Sequence, residues 1–308
     1  MENSKPAEIA REIRLTVWHA RGSVLSLERP LIVGILNVTP DSFSDGGDYL
    51  TVESAGARVS AMLDEGMDIV DIGGESTRPG SETIDAGEEI RRVVPVVRDV
   101  RRRHPQLAIS VDTTKSIVAQ AALDEGANII NDVSAMRLDS RMATVVAESG
   151  AGVVLMHSRG GVGEMASYDF ATYDGDVVGA VEREILEGVA RATSAGVSTA
   201  SIVIDPGVGF SKRSSDSIAV IRALPRLAGL GFPVLVGASR KRVIATLTGV
   251  RDESESPSSR VFGTIGAHVA ALSLGARLFR VHDVRAHREA LDAAWGIVGP
   301  ATSGERAL

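Results

Sequence analysis

LAISVDTTKSIVAQAALDEGANIIND, residues 107–132, decides the fold. A short β-branched run (107–111) ends in Asp112. A helical stretch follows and stops at Gly126, and a second apolar run (128–132) ends in Asn131-Asp132. Apolar strands without polar alternation, joined by helices, are the mark of parallel strands buried on both faces. Reading outward, the same unit recurs along the chain. Strands are expected at 31–37, 68–73, 107–111, 128–132, 152–156, 201–205, 233–236 and 277–281. Eight such units are the count of a closed (β/α)8 TIM barrel of the α/β class; a doubly wound open sheet is the alternative. Gly66, Gly126, Gly150 and Gly196 sit where helices should end before a strand. Ser256-Pro257 reads as a helix start and Gly275 as the close of that helix. Upstream, LTVWHARGSVLSLER (15–29) reads as a β-hairpin turning at Arg21-Gly22. The expected organisation is therefore an N-terminal extension with the hairpin (1–30), a single barrel (31–298) and a frayed tail (299–308).

The chain has 308 residues, 44% of them hydrophobic, enough for one large core. A net charge of −7 argues against a general nucleic-acid or anionic-membrane surface. The absence of cysteine removes disulfides, thiolate nucleophiles and cysteine zinc sites. No apolar run of about 18 residues is present, and the first thirty residues do not read as a signal peptide. The expectation is a soluble cytoplasmic protein without nucleic-acid or membrane partners.

In such a barrel the chemistry lies at the C-terminal strand ends. Asn37 ends the first strand, and Asp71 and Gly73 the second. Asp112 ends the third, Asn131-Asp132 the fourth, and Met156-His157 the fifth. Asp205 ends the sixth, Ser239-Arg240-Lys241 follow the seventh, and Arg280 and His282 close the eighth. Any one of these has a plain structural reading: Asp and Asn form turns and cap helices. His157 and His282 could be satisfied buried histidines; His19, His104 and His287 read as surface residues, and Arg101-Arg102-Arg103 as a solvated helix face. The combination is more informative. Asp112, Asn131 and Asp205 offer acceptors and an amide to a flat heterocycle such as a 2-aminopyrimidinone. Lys241, Arg280 and His282 gather positive charge where barrels of this kind bind phosphate. A heterocycle carrying phosphate or diphosphate fits both. No P-loop, dinucleotide fingerprint or HExxH is present.

The stretches GILNVTPDSFSDGG (34–47), DIGGESTRPG (71–80), SVDTTK (110–115), IINDVSA (129–135), LMH (155–157), IDPGVGFSK (204–212), VGASRK (236–241) and RVHDV (280–284) closely resemble the dihydropteroate synthases. They occur in family order across residues 15–295. The resemblance implies a transferase that joins p-aminobenzoate to 6-hydroxymethyl-7,8-dihydropterin diphosphate in folate synthesis, releasing diphosphate. It implies that Asp112, Asn131, Asp205, Lys241 and Met156 hold the pterin, with Asp112, Lys241 and Asn37 central to catalysis. By the same resemblance Asn37 contacts Mg²⁺, the implied cofactor, and Arg78, Arg280 and His282 with Asn37 bind the diphosphate. Thr77, Pro79, Phe210, Ser239 and Phe43 would line the p-aminobenzoate pocket, and the partner implied is a second copy in a homodimer. The sequence departs from the family at Thr114, at Ser158-Arg159 and in the GGVGEM turn (160–165), all near the rim of the pterin pocket. A pterin-binding methyltransferase shares the pterin acids, but is expected to lack the STRPG loop and the Ser239-Arg240-Lys241 set. A non-catalytic paralogue is the remaining alternative.

Overall fold

The structure, a computed structural model, describes residues 16–39, 51–76, 83–249 and 257–300. The hairpin is formed by β1 (Val17–Ala20) and β2 (Ser23–Ser26), antiparallel, with Val17 opposite Ser26 and Gly22 at φ +70° in the two-residue turn. A left-handed φ there suits glycine, which carries no Cβ. The barrel strands are β3 (Leu31–Asn37), β4 (Ile69–Gly73), β5 (Ala108–Asp112), β6 (Ile129–Asp132), β7 (Gly152–Met156), β8 (Ile202–Asp205), β9 (Leu235–Val236) and β10 (Leu278–Val281). Between them run α1 (Val52–Asp64), α2 (Ala86–Arg103), α3 (Ser116–Asp124), α4 (Met142–Ser149), α5 (Val177–Ser194), α6 (Ser214–Arg222), α7 (Leu224–Ala228), α8 (Arg242–Thr248) and α9 (Val261–Ser273); α10 (Val284–Val298) follows β10.

All eight strands are parallel, in the order β8-β7-β6-β5-β4-β3-β10-β9. The ring closes between β8 and β9, where Ile204 bridges Val234 and its N–H donates to the Pro233 carbonyl at 3.0 Å. Proline has no N–H to give back, which is why β9 is shorter than the expected 233–236. The starts of β4 and β6 also fall one residue later than expected. The Asp68 carboxylate accepts the Ile32 N–H at 2.8 Å, and the Asn128 amide oxygen accepts the Ile109 N–H at 3.0 Å. In both places a side chain has replaced a backbone partner of the ladder. Gly66, Gly126, Gly150 and Gly196 take positive φ, between 67° and 105°. Ser256 lies outside the described residues; Pro257–Arg260 form a 3₁₀ turn ahead of α9. No helix among the described residues is long and apolar enough to cross a membrane.

The period of two along each strand sorts the side chains. Ile32, Leu36, Val70, Ile72, Ile109, Val111, Val153, Leu155, Phe279 and Val281 belong to the large core between strands and helices. The alternate positions Leu31, Val33, Ile69, Ala108, Ile129, Val154, Val203, Leu235 and Leu278 form a second cluster inside the barrel. Trp18 of the hairpin joins that inner cluster, 1% exposed, with its indole N–H donating to the Ser201 carbonyl at 2.9 Å. The hairpin thus plugs the N-terminal end. Burying a ring of this size contributes roughly 1.5–3 kcal/mol. A cavity of only about 10 Å³ remains on the axis, so the barrel is a packed core and not a pore.

Candidate active site

The same parity continues upward and changes character. On the inward face Ile69 is followed by Asp71 and Gly73, Ala108 by Ser110 and Asp112, and Ile129 by Asn131. Val154 is followed by Met156, Val203 by Asp205, Leu235 by Gly237, and Leu278 by Arg280. Strands that are oily at the bottom end in polar groups at the mouth. Asp132 has the opposite parity, and its carboxylate instead accepts from the Ser134 and Met136 N–H groups at 2.8 and 3.0 Å, closing the turn after β6.

Arg280 spans the mouth. From β10 its Nε donates to Asp71 Oδ2 on β4 at 2.6 Å and its Nη2 to Asp112 Oδ2 on β5 at 2.8 Å. Asp71, 1% exposed, also accepts from Ser110 Oγ at 2.6 Å and Asn131 Nδ2 at 3.1 Å. Burial alone would draw the Arg280 proton off, but the two carboxylates outweigh it and hold the guanidinium charged. Burial pushes the Asp112 carboxyl upward; Arg280 pulls against that, and Asp71 adds to it.

Across the mouth, Asp205 is 4% exposed and its Oδ1 accepts the Gly207 N–H at 2.7 Å. Burial raises its pKa, against the pull of Lys241, the Gly207 N–H, Lys212 and Arg280. Lys241 donates from Nζ to the Val208 carbonyl at 2.6 Å and lies 4.1 Å from the centroid of the Phe210 ring. Desolvation draws its ammonium down to about 7, with Asp205 opposing. Asn37 and Asp112 come together over Gly73: a Cβ built there would lie 3.7 Å from Asn37 Oδ1 and 3.9 Å from Asp112 Cγ. A Cβ on Gly237 would lie 3.7 Å from Arg280 Cβ and 4.0 Å from Asp205 Oδ2. Two glycines therefore leave open floor between the polar groups, beside a small apolar cluster of Val133, Met156 and Met165 with Val162 and Phe210 packed on it.

Ser239 Oγ meets His282 Nδ1 at 2.9 Å and accepts the His282 N–H at 3.2 Å, so it orients that ring. Arg240 stands between Ser239 and Lys241 at φ +61°, tied to Asp283 at 2.6 Å and 3.1 Å. Ala135, Met136 and Ser211 also take positive φ, all after strand ends. Left-handed non-glycine backbone costs energy and persists where surrounding contacts enforce it. A groove of about 620 Å³ bordered by Asp176, Glu182 and Arg226 lies on the flank at α5 and α7 and shares no residue with this mouth.

The structure thus brings together Asn37, Asp112, Asn131, Met156, Asp205, Phe210, Ser239, Lys241, Arg280 and His282 at one end of the barrel. Phe43, Thr77, Arg78 and Pro79 lie outside the described residues. Two expectations are corrected. His287 is no surface residue: it is fully buried, 5.0 Å from the His268 ring, because α10 packs on α9 there. Arg101 is not merely solvated, since its guanidinium binds the Gly126 carbonyl at 2.9 Å and Asn128 Oδ1 at 2.5 Å. His157 is turned toward Glu184 and Lys212, 3.0 and 2.7 Å away. Asp71 had no role in the sequence reading, although strand parity with Ser110 and Asp112 was a signal for it. Lys212, Glu184 and Met165 carried no such signal.

The pterin-binding enzyme family profile matches residues 33–282. A dihydropteroate synthase of Mycobacterium leprae is 45% identical over 90% of this chain and 97% of its own length. That of Bacillus subtilis is 41% identical over 87% and 89%. The structure of a Xanthomonas albilineans dihydropteroate synthase with 4-aminobenzoic acid superposes with a TM-score of 0.83 at 44% identity, covering 92% of this chain and 98% of that one. The same enzyme in complex with 7,8-dihydropteroate gives 0.80 at 42%, covering 91% and 98%. With its eight-stranded barrel, its polar mouth and these relatives, the chain belongs to the pterin-binding enzymes, in the dihydropteroate synthase family.

Proposed function

We infer that this chain is a transferase that condenses p-aminobenzoate with 6-hydroxymethyl-7,8-dihydropterin diphosphate, giving 7,8-dihydropteroate and diphosphate. The observation that carries the reading is the ring of Asp112, Asn131, Asp205 and Lys241 around a floor left open by Gly73 and Gly237. A carboxylate facing a 2-aminopyrimidinone accepts two parallel N–H groups, a charge-assisted pair. Asp205 is the residue for that edge, with Asn131 and Lys241 for the remaining ring heteroatoms and Met156 and Phe210 for its faces. In the reaction the C–O bond from the exocyclic methylene to the diphosphate breaks and its electron pair leaves with the diphosphate. The amine nitrogen of p-aminobenzoate forms the new C–N bond and then loses a proton. The carboxylates of Asp112 and Asp205 stabilise positive charge developing on the ring, and Arg280, His282 and Arg78 stabilise the departing anion. Thr77, Pro79, Phe43, Phe210 and Ser239 are the assigned surroundings of p-aminobenzoate.

Asn37 would hold Mg²⁺. Its Oδ1 reaches the mouth over Gly73, and no cluster of three titratable ligands exists among the described residues. One amide oxygen suits an ion otherwise held by water and substrate phosphates, as Mg²⁺ usually is. Bound there, the ion would neutralise charge on the diphosphate oxygens.

Residues 31–298 are taken as one barrel unit with 1–30 as its extension. A homodimer accords with exposed Leu247, Phe262, Ile297 and Val298 on α8, α9 and α10. A folate-pathway role carries a cytoplasmic location with it. The test is direct: incubate the protein with the pterin diphosphate, Mg²⁺ and p-aminobenzoate and follow dihydropteroate by chromatography. Absence of product, together with no calorimetric binding of pterin, would refute the reading.

A further inference from the structure

Behind the mouth lies a buried polar cluster that the reaction above does not use. Lys212 is 1% exposed, so an ammonium has been taken out of water in a loop. Its Nζ donates to His157 Nδ1 at 2.7 Å, the Phe210 carbonyl at 3.1 Å and the Gly207 carbonyl at 3.2 Å. With Nδ1 accepting, the His157 proton sits on Nε2, which meets Glu184 Oε2 of α5 at 3.0 Å. Arg159 closes the chain on the same carboxylate through Nε at 3.0 Å, and stacks 4.2 Å from the Tyr173 ring, whose hydroxyl donates to the Ser211 carbonyl at 2.7 Å.

This cluster grips the 205–212 segment from beneath. Gly207, at φ +69°, lies so close to the end of β7 that a Cβ would fall 1.9 Å from the His157 carbonyl oxygen. The same segment delivers three things to the mouth: the Gly207 N–H on Asp205, the Val208 carbonyl that accepts from Lys241, and the Phe210 ring beneath that ammonium. Lys212 also places a positive charge close enough to Asp205 to favour its ionised form.

We propose that Lys212 is a positioning residue for pterin binding: its buried ammonium pins the 205–211 turn and holds Asp205 as a carboxylate. The proposal rests on the pterin reading of Asp205 given above. The groups facing this pair are His157 just after β7, Arg159 and Tyr173 from the same loop, Glu184 from α5, Lys241 at the start of α8 and Arg280 from β10. The sign of the effect follows. Burial raises the pKa of Asp205, and cations lower it. Taking Lys212 away lets that pKa rise further, so the ionised form is lost at a higher pH.

The experiment is calorimetric binding of 6-hydroxymethylpterin between pH 6 and 8.5 to the full chain, with Lys212→Met and the neutral hydrogen-bonding Lys212→Gln. Circular dichroism checks that each is folded, and Lys212→Gln carries the test if Lys212→Met does not fold. Burial draws the Lys241 and Lys212 ammonium groups down to about 7, so wild-type affinity is itself followed across the range and each variant is compared with wild type at the same pH. The variants should bind about tenfold more weakly at pH 6 and approach wild type at pH 8.5. Folded variants with wild-type affinity throughout would overturn the proposal. So would a loss equal at every pH, because a merely loosened turn has no reason to respond to protons. If wild type itself binds no pterin, the functional reading fails first, and this inference with it.

Discussion

Asp71→Asn tests the organisation of the mouth. Asp71 accepts from three donors: Arg280 Nε at 2.6 Å, Ser110 Oγ at 2.6 Å and Asn131 Nδ2 at 3.1 Å. An asparagine of the same shape keeps one neutral acceptor oxygen for the Arg280 and Asn131 donors, and its NH₂ group is satisfied only if the Ser110 hydroxyl turns round to accept. It also leaves the buried Arg280 with Asp112 as its remaining carboxylate, at 2.8 Å. Breaking a buried ion pair by removing one partner costs about 3–5 kcal/mol. Because Asp112 stays, the lower end applies, about 3 kcal/mol. A chain of 308 residues unfolds with an entropy of ~0.65 kcal/mol/K near 60 °C, so Tm should fall by ~5 °C. Scanning calorimetry measures it. The double variant Asp71→Asn/Arg280→Met should lose less than the sum of its singles, since it no longer strands the guanidinium. An Asp71→Asn protein melting within about 1 °C of wild type would show that the network contributes nothing, and the account of the mouth would be wrong.

Asp205→Asn should weaken 6-hydroxymethylpterin by roughly 1–3 kcal/mol, about 5- to 150-fold, by opposing a donor to a donor; unchanged affinity in calorimetry rules out the assigned pairing. Burial holds the His157 imidazolium pKa down to about 4, so its neutral form contributes stability that is complete above pH 6.5 and disappears as pH falls through about 4. His157→Gln should therefore lose less stability than wild type between pH 6.5 and 4, by up to roughly 3 kcal/mol, in urea titrations; parallel curves would refute this. p-Aminobenzoate should bind weakly or undetectably to the free protein and measurably once pterin, diphosphate and Mg²⁺ are present. The residues proposed for it, Thr77, Pro79 and Phe43, stand close in sequence to Arg78 and Asn37, which are proposed for the diphosphate, and a first ligand that fixes its neighbours lowers the cost for the second. Equal affinity in both titrations would mean a preformed pocket.

The alternation of β-branched runs with helices was local information, and it was enough to place all eight strands and the hairpin turn at Arg21-Gly22. Hydrophobic burial on both faces of a strand needs no knowledge of which neighbour buries it. Strand ends were also legible, so Asp112, Asn131, Asp205 and Arg280 stood out as polar groups after apolar runs. What they would touch was not. Arg280 and Asp71 are 209 residues apart, and their pairing exists only because β3 alone separates β10 from β4 in the ring. Before that geometry is known, a cation after the eighth strand reads simply as a phosphate ligand. Afterwards it is also the clasp between β4 and β5. Lys212 makes the same point: a lysine in a loop reads as a solvated charge, and only the close approach of Gly207 to His157 shows it to be sealed in. His287 was misread because a histidine on an amphipathic helix carries no local mark of which neighbour will cover it. Local sequence determined the elements and the chemical character of their ends. The closure of the barrel decided which charges meet, because electrostatic partners are chosen by distance in space and not by distance along the chain.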